Sequence, residues 1–359
     1  MSRTYNFSAG PATLPEEVLQ EAQENLFNYK GAGFSIMEAS HRGKEYGPVH
    51  DAAISNLRKL MNISDDYEVL LLQGGATGQF AILPMNLLGE GQTADYVNAG
   101  SWGKKAVKEA QAIGNVNIAG DTSSDIPTRM PDNDRLQLTK DAAYLHITSN
   151  ETIGGNQYME YPQSDAPLVA DMSSDILCRE IDVNRFGAIY AGAQKNLGPS
   201  GVTVVILRKD LIEAGNSTIP GIFQYRNHAA NNSMLNTPPC FSIYILSLTT
   251  QWLLDKGGVT GIQAINEAKA GRLYAAIQST EFFSGTAAPE YRSTMNITFR
   301  LPSEELEAQF ISEAAAQGMS GLKGHRSVGG IRASIYNAFP EAGVDALIDF
   351  MKDFEQKNG

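Results

Sequence analysis

The chain has 359 residues, 42% hydrophobic and 19% charged, with 28 Lys plus Arg against 40 Asp plus Glu and a formal net charge of −12. At roughly 150 residues per domain this is material for about two packed domains, and it excludes a disordered, collagen-like or disulfide-stapled chain. The acidic balance repels polyanions, which argues against nucleic acid or an anionic membrane surface as partner; any bound anion must be met by a few concentrated cations.

In chain order, Thr13 to Glu16 reads as a capping box opening a helix that runs to about Asn28. An irregular segment follows over 38–44, then a helix over 48–60. Strand-type and helical runs then alternate: a strand over 68–72, a helix from Thr77, a strand over 95–98 and a helix from Trp102. Further strands are expected at 144–148, 168–172, 188–191 and 202–207. This alternation predicts an α/β fold with a mainly parallel sheet covered by helices. After Pro238-Pro239, helices are expected over 241–254 and 258–279. A strand over 295–300, a helix over 304–317, a strand over 331–336 and a helix over 344–357 then read as a smaller C-terminal α+β domain.

No signal-peptide run opens the chain, and the longest apolar stretches are strand-length, so a cytoplasmic protein without membrane contact is expected. Cys178 and Cys240 form no disulfide framework and fit a reducing compartment. The five histidines show no metal-ligand spacing, so no metal is expected. Gly89 to Ala94 has dinucleotide-type glycine spacing but follows a helix and precedes a strand, the reverse of that motif's context, and reads as an ordinary turn.

Gln73 to Gly78 follows an apolar strand and opens a helix. It reads either as a phosphate-binding turn at a helix N-terminus or as a plain tight turn. Lys195 lies between an apolar strand and a Gly-Pro-Ser-Gly turn, crowded by small residues. Asp171 ends another apolar strand, 24 residues earlier. A buried acid there is costly unless it meets a cation. Lys195 as an imine-forming amine and Asp171 as partner of a pyridinium nitrogen are the pair that pyridoxal 5′-phosphate requires.

These segments carry a resemblance. Asn6-Phe7-Ser8-Ala9-Gly10-Pro11-Ala12, Ser40-His41-Arg42, the run from Ala191 to Gly201 and the run from Gly324 to Ser334 together resemble the fold-type I, class V aminotransferases over essentially the whole chain. The resemblance implies a seven-stranded-type sheet in a large coenzyme-binding domain (16–257), a small C-terminal domain (258–359) and an N-terminal segment (1–15) packing with the latter. It implies that Lys195 is the Schiff-base lysine and proton shuttle and that Asp171 pairs with the pyridinium. Ala76, Thr77 and Gln194 would bind the coenzyme phosphate, Trp102 would stack on the ring, and Thr152 would bond near its phenolic oxygen. A homodimer with shared active sites is implied, with Asn236 and Thr237 reaching the phosphate from the neighbouring subunit.

Arg is the natural fork for carboxylate and phosphate. By the same resemblance Arg332 takes the substrate α-carboxylate, while His41, Arg42, His325 and Arg326 hold a distal phosphate or side-chain carboxylate. Histidines acting as imidazolium would make that hold weaken as pH rises through their titration. The implied substrates are glutamate, phosphoserine and their 2-oxo acids, in serine biosynthesis; some bacterial relatives also serve pyridoxine synthesis. The alternative is another class V enzyme, such as an alanine–glyoxylate aminotransferase. Ala9 and Thr77 depart from relatives that carry Ser and Arg there.

Overall fold

The structure, a computed structural model, describes residues 3–359. Strands β1 (Tyr5–Asn6), β2 (Tyr67–Leu72), β3 (Thr93–Asn98), β4 (Asn115–Asp121), β5 (Leu145–Thr148), β6 (Asn150–Glu151), β7 (Asn156–Gln157) and β8 (Leu168–Asp171) come first. They are followed by β9 (Ala188–Gly192), β10 (Thr203–Arg208), β11 (Ser284–Gly285), β12 (Asn296–Arg300), β13 (Met319–Ser320) and β14 (Ile331–Ser334). The helices are α1 (Glu16–Glu24), α2 (Gly47–Met61), α3 (Gly75–Leu87), α4 (Ser101–Gln111), α5 (Lys209–Ala214), α6 (Tyr225–Ala230), α7 (Cys240–Asp255), α8 (Gly258–Gln278), α9 (Glu304–Ala316) and α10 (Glu341–Asn358).

A seven-stranded sheet of order β2-β10-β9-β8-β5-β3-β4 forms the centre. All its neighbours pair in parallel except β10, which is antiparallel to both β2 and β9. The chain reverses into β10 through residues 193–202, too short a connection for a helical crossover, so antiparallel pairing is forced. Alternate residues of each strand face opposite layers. Val69 and Leu71 enter one core with α2 and α7, whereas Leu70 and Leu72 enter the other with α3 and α4. A further core surrounds the sheet β11-β12-β14 and includes Phe7, whose ring lies 4.4 Å from that of Phe339. Helix α8 spans two cores, burying Val259 and Ile262 in one and Leu273 and Ile277 in the other.

Three expectations change. The Thr13 hydroxyl does not cap α1; it donates to the Asn6 carbonyl at 2.8 Å, and α1 starts after Pro15 without a side-chain cap. That helix stops at Glu24 rather than near Asn28, because the next apolar residues, Leu26 and Phe27, are exposed and add no buried face. Strand β4 was not expected. It is a polar edge strand paired only with β3, so little of its sequence alternates toward a core. The Gly89 to Ala94 segment is a turn over 89–92, closed by the Gln92 N–H donating to the Gly89 carbonyl at 3.1 Å, and it enters β3 at Thr93.

Lys269 of α8 is wholly buried, and its Nζ donates to the carbonyls of Ile335, Tyr336 and Phe339 at 3.1, 2.8 and 3.1 Å. Burial pushes the amine down to about 7, yet three carbonyl acceptors match the three N–H bonds of an ammonium. This contact holds the chain immediately after β14. Lys269→Met leaves three buried carbonyls without that donor and is expected to cost about 3 kcal/mol or more of stability, read as a lowered denaturant midpoint.

Candidate active site

The C-terminal ends of the parallel strands lie level, with Thr148 opposite Asp171 and Asp171 opposite Tyr190. Ligands bind beyond this edge in open α/β sheets. A cavity of about 270 Å³ lies here, lined among others by Gly74, Ala76, Thr77, Trp102, Thr152, Asp171, Gln194 and Lys195.

One wall is the turn from β2 into α3. Gly74 and Gly75 have φ of 98° and 65°, the left-handed region that only glycine adopts freely, so the chain enters α3 without crowding the cavity. No acceptor among the described residues pairs with the N–H groups of Gly75, Ala76 or Thr77. Three free donors at a helix N-terminus suit a phosphate. On the neighbouring strand, a Cβ added at Gly192 would lie 3.5 Å from the Ala76 nitrogen, so a larger residue would fill this cradle.

Asp171, at the end of β8, is buried, and its Oδ1 accepts from the Ser173 N–H at 2.9 Å and hydroxyl at 2.6 Å. Burial raises its pKa, while the Ser173 bonds and Lys195 oppose the rise. No donor among the described residues reaches Oδ2. A desolvated carboxylate with one oxygen held and the other open is suited to a cationic ring nitrogen. Lys195 Nζ donates to Thr152 Oγ1 at 2.7 Å. Burial pulls this amine down to about 8, with Arg332 acting the same way and Asp171 and Glu151 opposing. The Trp102 ring centroid is 5.6 Å from Lys195 Nζ, and the indole nitrogen is buried without a partner.

Arg332, on β14, is near enough for its charge to act on Lys195, and its Nε is buried with no partner. His325 is held below its ordinary pKa by partial burial and then by Arg332, Arg326 and Lys105. An imidazolium contribution from His325 is therefore confined to lower pH than an unperturbed histidine allows. Residues 324–330 form a loop closed by the bond from Gly324 N–H to the Gly330 carbonyl at 2.8 Å.

The remaining expected residues stand apart. Arg332, His325 and Arg326 do not line the cavity, nor do His41 and exposed Arg42, and no acid among the described residues pairs with Arg42. Asn236 and Thr237 are tied instead to Gln73 of the same chain, Asn236 Nδ2 donating to Gln73 Oε1 at 3.2 Å and Gln73 Nε2 to the Thr237 carbonyl at 3.1 Å. That places them beside the α3 turn without lining the cavity.

Sequence reading missed Glu151 and Ser173. Ser173 was visible in the Asp-Met-Ser-Ser run as a donor two residues beyond Asp171. Glu151 follows the polar run Thr148-Ser149-Asn150 in the two-residue strand β6, and no periodicity shows that an acid there is buried.

A mainly parallel seven-stranded sheet with a buried lysine, a buried aspartate and an anion cradle at its strand ends is the architecture of fold-type I transferases, and the chain belongs to the class V aminotransferases, whose family model matches residues 4–347. Over its whole length it is similar to phosphoserine aminotransferases. That of Desulfatibacillum aliphaticivorans is 52% identical, covering 100% of this chain and 99% of the relative. The solved phosphoserine aminotransferase from Bacillus circulans subsp. alkalophilus superposes with a TM-score of 0.96 at 50% identity, covering 99% of both chains. The pyridoxal-phosphate-bound phosphoserine aminotransferase from Trichomonas vaginalis gives 0.94 at 40% identity, covering 98% of this chain and 100% of that one. An alanine–glyoxylate aminotransferase from Nostoc sp. shares the fold, with a TM-score of 0.78 at 16% identity, covering 99% of this chain and 96% of that one.

Proposed function

We propose that the chain is a pyridoxal-phosphate-dependent transaminase converting L-glutamate and 3-phosphohydroxypyruvate to O-phospho-L-serine and 2-oxoglutarate, in L-serine biosynthesis. The observation that carries this reading is the cavity at the strand ends. There Lys195, Asp171 with its free Oδ2, and the unpaired N–H groups of Gly75, Ala76 and Thr77 supply the three contacts the coenzyme needs. When bound, the coenzyme supplies an electron sink for negative charge at the substrate α-carbon.

The chain's own residues do the rest. Lys195 would hold the coenzyme through its amine and, once released, would take or return the proton at the substrate α-carbon. Asp171 keeps the ring nitrogen protonated. Ala76, Thr77 and Gln194 hold the phosphate, Trp102 provides the stacking face, and Thr152 orients the phenolic oxygen. Arg332 fixes the α-carboxylate, and His325 and Arg326 bind the distal phosphate. The most direct test is a visible spectrum of the purified protein, in which a yellow chromophore bleached by phosphoserine is expected. A colourless protein that the coenzyme cannot reconstitute would contradict the reading.

The same reading makes the protein a cytoplasmic homodimer, with His41, Arg42, Asn236 and Thr237 serving the site of the opposite subunit. It also divides the chain into segments 1–15, 16–257 and 258–359. No described helix is long and apolar enough to cross a membrane. Mixing Lys195→Ala with Thr237→Glu after reversible dissociation is expected to restore activity, since one site of each mixed dimer is then intact. Mixed dimers that form and stay inactive would defeat this arrangement.

A pH dependence follows as well. The neutral amine attacks an aldehyde, and Lys195 loses its proton near pH 8 rather than 10.5. Covalent reconstitution of the apoprotein by pyridoxal phosphate should accelerate with rising pH to an inflection near 8; an inflection near 10.5 would show an unperturbed lysine.

A further inference from the structure

Helix α4 begins at Ser101, and its N-cap position is Gly100, which has no side chain to satisfy the first free N–H groups. The cap comes from Glu151, far along the chain. Its Oε2 accepts from the Trp102 N–H at 3.1 Å and its Oε1 from the Gly103 N–H at 2.7 Å. The Glu151 side chain is 0% exposed. Its backbone is pinned in the β6–β7 pairing, and its carbonyl accepts from the Gly155 N–H at 2.9 Å.

The two glycines of this turn leave no room for a side chain. A Cβ at Gly100 would lie 2.6 Å from the Glu151 carboxyl carbon, and one at Gly103 would lie 3.0 Å from the Val97 carbonyl. Gly100 has extended backbone (φ 170°) that any residue adopts, so the glycine there answers to space and not to conformation. A local Ser or Asp at the N-cap would satisfy the same donors at far lower desolvation cost. What the remote acid adds is a link. Thr152, the next residue, accepts the bond from Lys195 Nζ, so one dipeptide touches both the helix bearing Trp102 and the lysine.

We propose that Glu151 is a positioning residue that clamps the first turn of α4 and thereby sets the Trp102 ring against the coenzyme in register with Lys195. The proposal rests on the coenzyme site described above. The carboxylate touches backbone N–H groups and not the reacting atoms. Among the described residues no acceptor meets the Trp102 indole nitrogen, so the placement of the ring depends on where its backbone is fixed and on ring packing.

The test uses pyridoxamine 5′-phosphate, which cannot form the covalent link and so reports non-covalent placement alone. The chain has two tryptophans, and Trp252→Phe leaves Trp102 as the sole indole. In that background the probe is expected to quench Trp102 emission. Burial raises the Glu151 carboxyl to about 7 against the two backbone N–H bonds, so at pH 8.5 or above Glu151→Gln keeps the shape but removes the charge and one of the two acceptors. It is expected to raise the probe's dissociation constant about ten- to a hundred-fold and to reduce quenching at saturation. Gly100→Ala, which pushes the carboxylate away without altering its charge, is expected to act in the same direction. Combining it with Glu151→Ala should be no worse than Glu151→Ala alone, because both remove one contact.

A purely structural role would lower the melting temperature and leave saturated quenching unchanged, and that result overturns the proposal. Wild-type affinity and quenching in Gly100→Ala, or additive losses in the double variant, overturn it equally, even where Glu151→Gln fails to fold. Failure of the parent Trp252→Phe protein to bind the probe at all would instead refute the coenzyme site itself.

Discussion

Lys195→Ala is expected to reduce transamination by more than about 10⁴-fold while leaving the fold intact. Two proposed functions converge on this amine, the covalent link and the proton transfer, and among the described residues no other lysine lines the cavity. Its folded environment is unfavourable for the charge, since burial pulls the amine down to about 8. Removing it relieves desolvation but gives up the hydrogen bond to Thr152, so the thermal stability of the apoprotein should change little. The loss must therefore appear in turnover and in the visible chromophore but not in the melting curve. Retained visible absorption without added amine would remove Lys195 from the covalent role.

The second large effect separates two arginines. Arg332 is half-buried, its buried Nε has no partner among the described residues, and its charge acts on Lys195. A carboxylate arriving there meets a desolvated fork, and such charge-assisted pairs are strong. Arg332→Ala is expected to lower kcat/KM about a hundred-fold for every amino donor, because every donor carries an α-carboxylate. Arg326 lies on the 324–330 loop, which other residues hold in place. Arg300 Nη1 donates to the Val328 carbonyl at 2.7 Å, and the Gly330 N–H donates to Glu307 Oε2 at 3.1 Å. Arg300 and Glu307 pair at 2.6 Å. The loop therefore does not depend on Arg326 for its shape. Arg326→Ala should cost phosphoserine roughly ten- to a hundred-fold and serine or alanine little. Equal losses for phosphoserine and serine in that variant would show that the loop does not read the phosphate.

Much of this site was legible before the fold was known, for definable reasons. Lys195 and Asp171 stand at the ends of apolar strands, where a charge is anomalous, and β8 and β9 are neighbours in the sheet, so a separation of 24 residues brings them to one edge. The turn from Gln73 to Gly78 announced itself by its glycines. The direction of β10 was hidden because alternation reports which face a residue takes and not which way the strand runs. Strand β4 was hidden because an edge strand with polar residues lacks the apolar signal. The Thr13 cap failed because the hydroxyl found a tertiary partner, Asn6, that local sequence cannot rank against the helix N–H groups. Glu151 was hidden for a related reason: its partners are backbone N–H groups about fifty residues earlier. Asn236, Thr237, His41 and Arg42 have their proposed role across a subunit boundary, which a single chain does not contain.

The central claim is that the site reads an amino acid carrying a phosphate. The measurement that addresses it most directly is kcat/KM of the unmodified protein, reconstituted with pyridoxal phosphate, for O-phospho-L-serine, L-serine and L-alanine side by side with 2-oxoglutarate as acceptor. The proposed arrangement of His41, Arg42, His325 and Arg326 predicts that phosphoserine is favoured over serine by about a hundred-fold or more. Serine or alanine used as efficiently as phosphoserine would contradict the assignment.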